Sequence, residues 1–326
     1  MTRIVMSLAV LTTTLALALP AHAQNGTLTR SFVSSTGADT NTCVITAPCA
    51  SFAEAYTKVG ANGIVAALDP GKYGPLTIQG PVTINGNGWA AITAAAGSTG
   101  ITINAGSGDV TLTGLEIDGA GTAYNGIADY SAGNLTVTNC TLQNFVTSPL
   151  IGGYGNGILV EPASGHSKVL LRGIIVLNAS YAGIYVTPHS GAFVNASIDG
   201  VTVNNNQYGI YIDSAATTAS ELLFEINGTH ADNNTNTGIT LNSASSTGSQ
   251  TVGTIKDSTA SMNGQNGIAV SGSQTFVQFS HCIVDNEFYG ILLSGNAAAA
   301  SDGTNNVYDL YGVGVSGGSL VSAPPQ

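Results

Sequence analysis

The sequence predicts an all-β solenoid of about ten parallel coils. A short signature, Gly-Ile or Gly-Val followed by an outward residue and then an apolar one, recurs every 22 to 31 residues along most of the chain. Between these signatures apolar residues alternate with polar ones, which is the period of a β-strand. The 326 residues include 42 glycines, and only 8% are charged, as expected for a chain with many tight corners.

This composition excludes several classes of protein. A disordered chain would have fewer apolar residues than 43% and far more charge, and a long coiled coil would need Glu, Lys and Arg in bulk. Seven Lys and Arg stand against 18 Asp and Glu, which gives a net charge of -11. A nucleic-acid partner bound through phosphate contacts is therefore not expected.

The first 23 residues have the pattern of a secretory signal peptide. Arg3 precedes the apolar run 4–19, and Ala21-His22-Ala23 supplies a small-residue cleavage site. The run is at the short limit for a membrane span, and no second run is longer. We expect cleavage after Ala23, no membrane span, and export to the periplasm or the extracellular space.

Residues 24–62 are expected to form an N-terminal cap. Cys43 and Cys49 close a short loop that would be disulfide-bonded in an oxidising compartment, the alternative being two free thiols. Ser51 and Glu54 have capping-box spacing, and the apolar periodicity predicts a short capping helix over 51–59 that ends at Gly60. Strands of the early coils are then expected at the following ranges: 64–68, 76–78, 82–84 and 101–103.

The coils themselves are assigned to residues 63–316, followed by a tail at 317–326. Glycine before each inward Ile should permit a sharp corner, and the inward Ile, Val and Leu should stack from coil to coil. The signature runs from Gly126-Ile127 to Gly312-Val313, and its intermediate copies begin at the following glycines: Gly157, Gly183, Gly209, Gly238, Gly267 and Gly290.

A second repeated segment ends on an asparagine, a residue that tolerates left-handed turn geometry. These asparagines are expected to stack as an amide ladder, and the segments are the following: 137–144, 171–178, 198–205, 226–233, 279–286 and, with one extra residue, 255–263. In this register Cys140 and Cys282 occupy one inward column, five coils or roughly 24 Å apart. They cannot be bonded to each other and should be buried thiols.

The early segment Gly63-Ile-Val-Ala-Ala-Leu-Asp-Pro-Gly-Lys-Tyr73, then Leu76-Thr-Ile78 and Pro81-Val-Thr-Ile84, resembles the first coils of pectin-lyase-like right-handed parallel β-helix proteins. The later Gly-Ile coils resemble the repeats of the same superfamily. The resemblance spans about residues 30–315 and implies a right-handed parallel β-helix and an extracellular, glycan-related role. It does not imply a reaction, because the chain lacks the catalytic motifs of polygalacturonases, pectate lyases and pectin methylesterases.

The outward positions of the Gly-Ile strands are the candidate binding surface. Tyr185 and Tyr211 lie on neighbouring coils and could form a platform for a sugar ring. Thr187 and Asn242 flank them, and the loop 146–156, with Tyr154, could overhang this region. A harmless surface loop is the equal alternative.

Glu161 and Asp213 are the candidate catalytic pair, in the same outward column two coils apart. That separation is about 9.6 Å at the backbone, near the 6.5–9.5 Å between the carboxyl groups of inverting glycosidases. The alternative is that both are ordinary solvated residues. No histidine or cysteine shows metal-ligand spacing, so no metal or cofactor is expected, although calcium stays open because Asp and Asn abound at the corners.

Two functions remain open on this basis. The first is a secreted protein that binds or processes an extracellular polysaccharide, as a hydrolase or a lyase if it is an enzyme. Scarce Lys and Arg argue against a strongly anionic polymer. The second is a non-catalytic, adhesin-like structural rod of a surface or matrix. Neither the glycan nor the oligomeric state follows from the sequence.

Overall fold

The computed structural model describes residues 24, 26–147, 155–243, 248–286, 288–309 and 314–322. They form one helix, α1 (Phe52–Lys58), and 28 strands. The strands up to residue 160 are β1 (Leu28–Val33), β2 (Val59–Ala67), β3 (Gly71–Lys72), β4 (Leu76–Ile78), β5 (Val82–Thr93), β6 (Thr99–Ile103), β7 (Val110–Asp118), β8 (Asn125–Asp129), β9 (Leu135–Thr138), β10 (Thr141–Phe145) and β11 (Asn156–Val160). The later strands are β12 (His166–Arg172), β13 (Ile175–Ala179), β14 (Ala182–Val186), β15 (Phe193–Asp199), β16 (Thr202–Asn204), β17 (Tyr208–Ser214), β18 (Glu221–Asn227), β19 (Thr237–Ser243), β20 (Gln250–Lys256), β21 (Asn266–Ser271), β22 (Thr275–Ser280), β23 (Ile283–Asn286), β24 (Tyr289–Ser294), β25 (Ala298–Ser301), β26 (Asn306–Asp309), β27 (Val315–Ser316) and β28 (Val321–Ser322).

All of these strands pair in parallel with the equivalent strands of neighbouring coils, so the predicted solenoid is confirmed. Ten of them form what we call the Gly-Ile sheet, in the order β4-β6-β8-β11-β14-β17-β19-β21-β24-β27. Twelve others form the long-strand sheet, in the order β1-β2-β5-β7-β9-β12-β15-β18-β20-β22-β25-β28. Four shorter strands are joined to the long-strand sheet as branches: β3 pairs with β5, β10 pairs with β7 and β13, and β13 pairs with β16.

The first coil is covered as the sequence predicted. Helix α1 begins after Ser51, whose side chain accepts a hydrogen bond from the Glu54 backbone N–H. Lys58 Nζ lies 2.7 Å from Glu54 Oε1, and Phe52, Ala55 and Tyr56 of the helix are buried. The predicted disulfide between Cys43 and Cys49 is present. Strands β1 and β28 pair with the long-strand sheet although they fall in the segments assigned to the cap and the tail.

The inward isoleucines of the Gly-Ile sheet form one continuous stack, and each of them is at most 1% exposed. Its members, from coil to coil, are Ile101, Ile127, Ile158, Ile184, Ile210, Ile239, Ile268 and Ile291. The predicted end of this series was wrong, because Ile291 pairs with Val315 and not with Val313. The sequence repeats Gly-Val at 312–313 and 314–315, so the pattern alone could not choose between them.

The glycines before these isoleucines are required by space and not by backbone conformation. At Gly183 an added Cβ would lie 2.8 Å from the Gly209 carbonyl oxygen, and at Gly209 it would lie 2.5 Å from the Gly238 oxygen. Neither glycine has a positive φ. The prediction of a sharp corner at these positions was therefore wrong. The glycines let adjacent coils approach closely at the start of each strand.

The amide ladder exists and includes the predicted Asn263 and Asn286, but in the two coils before them it is one residue away from the predicted position. Asn206, Asn234, Asn263 and Asn286 are buried, and Asn234 Nδ2 donates to Asn263 Oδ1 at 3.0 Å. Asn205 and Asn233, the predicted members, are exposed and left-handed, with φ of 59° and 58°. In the coil 255–263, Met262 takes the left-handed position at φ 55°. The extra residue predicted for the segment 255–263 is therefore absent from it.

Two further inward columns contain residues with polar groups. Cys140 and Cys282 are free thiols, each 2% exposed, as the register predicted. Asp129 lies in the apolar column between Ile103 and Val160 and is 1% exposed. Its Oδ1 accepts a hydrogen bond from the Ser131 backbone N–H at 2.9 Å. Burial raises the pKa of Asp129 to about 6.

Within the described residues no helix is long and apolar enough to cross a membrane.

Candidate functional site

Four tyrosines cluster on the outward surface of the Gly-Ile sheet, which we call the Gly-Ile face. Tyr185 and Tyr211 are register neighbours on β14 and β17, and their ring centroids lie 5.2 Å apart. Tyr181 lies 5.5 Å from both Tyr185 and Tyr208, and Tyr208 lies 5.2 Å from Tyr211. Tilted and edge-on arrangements of this kind are favoured between aromatic rings. The predicted pair is thus part of a larger aromatic platform.

Asp213 lies beside this platform, at the end of β17. Its carboxylate accepts hydrogen bonds from the backbone N–H of Ala215 at 2.8 Å and from the side chains of Tyr185 and Asn242. Burial nonetheless raises the pKa of Asp213, since the three hydrogen bonds, which favour the charged form, offset the loss of hydration only in part. Among the predicted binding residues, Asn242 is the register neighbour of Asp213 on β19.

Glu161 is positioned differently. It follows β11, and its backbone N–H donates to the carbonyl oxygen of Asp129. Its Oε1 lies 3.1 Å from Nε2 of His189, which reaches it from the following coil. Tyr130 is close enough for the negative charge of Glu161, together with burial, to raise the pKa of that phenol. Glu161 therefore has a histidine partner, whereas no basic side chain among the described residues forms an ion pair with Asp213.

The predicted site residues share one column on this face. Val160, Val186 and Ile212 are register partners, so Glu161, Thr187 and Asp213 follow one another on successive coils. Glu161 and Asp213 are two coils apart, about 9.6 Å at the backbone. Thr187 stands between them and is half-buried. Tyr154, also predicted to line the site, lies outside the described residues.

Sequence reasoning missed three members of this surface: Tyr181, Tyr208 and His189. Tyr208 directly precedes the signature glycine Gly209, so its place on the face could have been found from the register. Tyr181 lies before β14 and His189 after it, and their contacts depend on how far their side chains reach. A repeat alignment does not contain that information.

A second surface lies on the long-strand sheet. An open cleft of about 690 Å³ crosses β9, β12, β15, β18 and β20, with Leu170, Leu223 and Val252 among its lining residues. Lys168 and Glu225 also line it, and Glu225 Oε1 is 2.6 Å from Lys256 Nζ. Among the described residues, the lining of this cleft contains no cluster of aromatic rings comparable to the four tyrosines. It serves below as an internal control.

Over the described ranges no group of three or more His, Cys, Asp or Glu side chains is placed to hold a metal ion. The expectation of no metal or cofactor, with calcium open, stays a prediction.

Part of the chain matches a known family. Residues 153–307 match the family model described as "Right handed beta helix region". Among solved structures, the A-module of a mannuronan C-5 epimerase from Azotobacter vinelandii is similar at 15% identity and a TM-score of 0.38. That match covers 81% of this chain and 92% of the module. No curated protein matches the chain. The family match covers just under half of the chain, and the parallel coils of the described residues show the β-solenoid fold directly.

Proposed function

We propose that the chain is exported and that it binds an uncharged extracellular polysaccharide on the Gly-Ile face. The observation that carries this proposal is the platform of Tyr181, Tyr185, Tyr208 and Tyr211. Sugar rings present apolar C–H faces that pack on aromatic rings, while tyrosine hydroxyls supply hydrogen bonds. The disulfide between Cys43 and Cys49 is consistent with an oxidising, extracellular destination.

The charge distribution favours an uncharged ligand. The ionisable side chains that flank the platform are Glu161 and Asp213, and Glu161 is already paired with His189. Lys168, Arg172 and Lys256 belong to the long-strand sheet instead. An anionic polymer would therefore meet negative charge without a cation to offset it.

A second candidate function, hydrolysis of the bound glycan, is favoured by the position of two carboxyl groups in one column beside the platform. Asp213 has a raised pKa, as a general acid requires, and would protonate the glycosidic oxygen. Glu161, held by His189, would take a proton from the attacking water. Two backbones about 9.6 Å apart leave room for a water molecule between the side chains, as in an inverting mechanism.

The test combines a binding assay and a cleavage assay with the purified chain. In the binding assay, the chain migrates through affinity gels that contain soluble glucans, mannans or xylans, with polygalacturonate as the charged comparison. In the cleavage assay, the same polymers are incubated with the chain and tested for new reducing ends and unsaturated products. We expect retention of at least one uncharged polymer, and a loss of about tenfold in affinity when Tyr211→Ala removes one platform ring. Leu223→Ala, in the cleft of the long-strand sheet, should bind like the wild type.

The outcomes separate the candidates. New reducing ends that disappear in Asp213→Asn would support hydrolysis, whereas unchanged cleavage in that variant would exclude this acid. Unsaturated ends would mean a lyase with a different base. Weaker binding in Leu223→Ala but not in Tyr211→Ala would move the site to the other sheet. Binding without cleavage means a binding protein. If the chain neither binds nor cleaves any of these polymers, the adhesin-like structural rod is the better explanation of its function.

A further inference from the structure

The Gly-Ile face carries a second aromatic patch near its C-terminal end. Phe288 is 43% exposed, and Tyr289, at the start of β24, is half-buried. Tyr289 stands in the same register column as Tyr208, with Thr237 and Asn266 between them. The two patches therefore lie on one line along the solenoid axis, three coils apart, or about 14 Å.

A depression lies at the distal patch and extends over the preceding coil toward the tyrosine cluster. It has a volume of about 410 Å³, and its lining includes Gln265, Asn266, Phe288, Tyr289 and Leu292. The adjacent column runs from Tyr211 through Thr240 and Ala269 to Leu292. Small side chains thus form the floor between two aromatic ends, which is the shape of a trough.

The trough contains no charged side chain at its register positions. Past Asp213, the column that began with Glu161 continues as Asn242, Ser271 and Ser294. Within this column of described residues, the carboxylates therefore lie toward one end and neutral hydrogen-bonding groups toward the other. At the described register positions of the trough, a ligand meets amides, hydroxyls, aromatic rings and the aliphatic side chains of Ala269 and Leu292.

We propose that Phe288 and Tyr289 form a distal subsite, and that the face takes a linear, uncharged oligosaccharide several sugars long, lying along the solenoid axis. One sugar ring cannot contact both patches across about 14 Å. The chain would extend from the tyrosine cluster toward the C-terminal coils. This inference rests on the proposed function and adds the length and the direction of the ligand.

The experiment measures affinity against ligand length. The probes are cello-, manno-, xylo- and malto-oligosaccharides from the disaccharide to the hexasaccharide, titrated into the wild type by calorimetry. In the series that binds, affinity should rise with length. The double variant Phe288→Ala/Tyr289→Ala should lose about tenfold for the hexasaccharide and nothing for the disaccharide. Tyr211→Ala should weaken binding at both lengths.

Tyr308→Ala is the matched control, because Tyr308 is a 61% exposed aromatic residue at the same end of the solenoid but on β26, off the Gly-Ile face. It should bind every length like the wild type. If the double variant keeps full affinity for the hexasaccharide while Tyr211→Ala loses it, the distal subsite is wrong and the proposed function stands. If no series binds, or Tyr211→Ala changes nothing, the proposed function itself fails. Thermal unfolding of each variant confirms that it is folded.

Discussion

The Tyr185 hydroxyl donates a hydrogen bond to the carboxylate of Asp213 on the following coil. The tyrosine belongs to the aromatic platform and the aspartate is the candidate acid, so this bond couples the binding surface to its most perturbed carboxyl group. It stabilises the charged form of Asp213 and acts against the effect of burial. The protonation of Asp213 is therefore set in part by a residue that would also contact the ligand.

Removal of this hydroxyl should raise the pKa of Asp213 further. In Tyr185→Phe the ring stays in the cluster, but the carboxylate loses a donor, so its charged form becomes less favourable. Side-chain carboxyl NMR titration of the wild type and the variant would measure the shift. Tyr208→Phe is the control, since the Tyr208 hydroxyl accepts a hydrogen bond from Asn236 at 3.0 Å. An unchanged or lower pKa in Tyr185→Phe would contradict the coupling.

Neighbouring asparagines in the ladder coil should respond very differently to substitution. The side-chain oxygen of Asn234 accepts from both the backbone N–H and Nδ2 of Asn206, and its own amide donates to Asn263. Asn234→Ala would leave these buried groups without partners, at a cost of about 1–3 kcal/mol in the free energy of unfolding. Urea-induced unfolding followed by circular dichroism would measure this loss.

Asn233→Gly is the matched control for that prediction. Asn233 is exposed and has a φ of 58°, a conformation that glycine adopts without strain. Its replacement should change the free energy of unfolding by less than about 0.5 kcal/mol. A larger loss in Asn233→Gly than in Asn234→Ala would mean that the outer asparagine carries the ladder.

These two asparagines also show where sequence reasoning stops. Gly-Ile pairs and alternating apolar residues determine the inward columns, so the solenoid and the column of Cys140 and Cys282 could be predicted. The capping helix could be predicted from the spacing of Ser51 and Glu54. A run such as Asn204-Asn205-Asn206 offers the same side chain at three successive positions. Which of them points inward depends on the local left-handed residue, and that is a property of the folded corner.

The candidate site could be predicted from the sequence to about the same extent as the fold. Register places Tyr185, Tyr211 and the carboxylate column on one face, because residues equally spaced from the signature glycine must align. The same register aligns Asp129 with the inward Val160, so its burial could also have been predicted from the repeat. The contacts of Tyr181 and His189 lie outside the repeat, and only the packed structure brings them to the site.

The thiols of Cys140 and Cys282 should be unreactive in the folded chain. Each is 2% exposed, and burial raises the pKa of each to about 11, so little nucleophilic thiolate forms at neutral pH. We expect no reaction with DTNB under native conditions and two thiols per chain in denaturant. Prior reduction should raise the denatured value to four, through Cys43 and Cys49. A native-state thiol signal, or a Cys140–Cys282 disulfide in a mass map, would contradict the register.

The strongest pH dependence of stability should come from Asp129. Its folded-state pKa of about 6 is above the ordinary value, so the protonated form is the one that the apolar column tolerates. The stabilising effect of that proton is complete below the unfolded-state pKa, and it is lost as the pH rises through about 6. The whole effect, roughly 3 kcal/mol, is lost between about pH 4 and pH 7, and about half of it is lost above pH 5. The wild type should therefore lose stability between pH 5 and pH 8 relative to a chain without this group.

Asp129→Asn supplies that comparison, because the amide oxygen can still accept from Ser131 while the side chain cannot ionise. The difference in the free energy of unfolding between variant and wild type should move in favour of the variant as the pH rises from 5 to 8. Asp109→Asn, at an exposed carboxylate bonded to Asn134, controls for the general effect of removing one negative charge. A pH-independent difference for Asp129→Asn would mean that the carboxyl group in the core is already charged at pH 5. In that case the column must be hydrated at this coil, and the continuous dry core would end there.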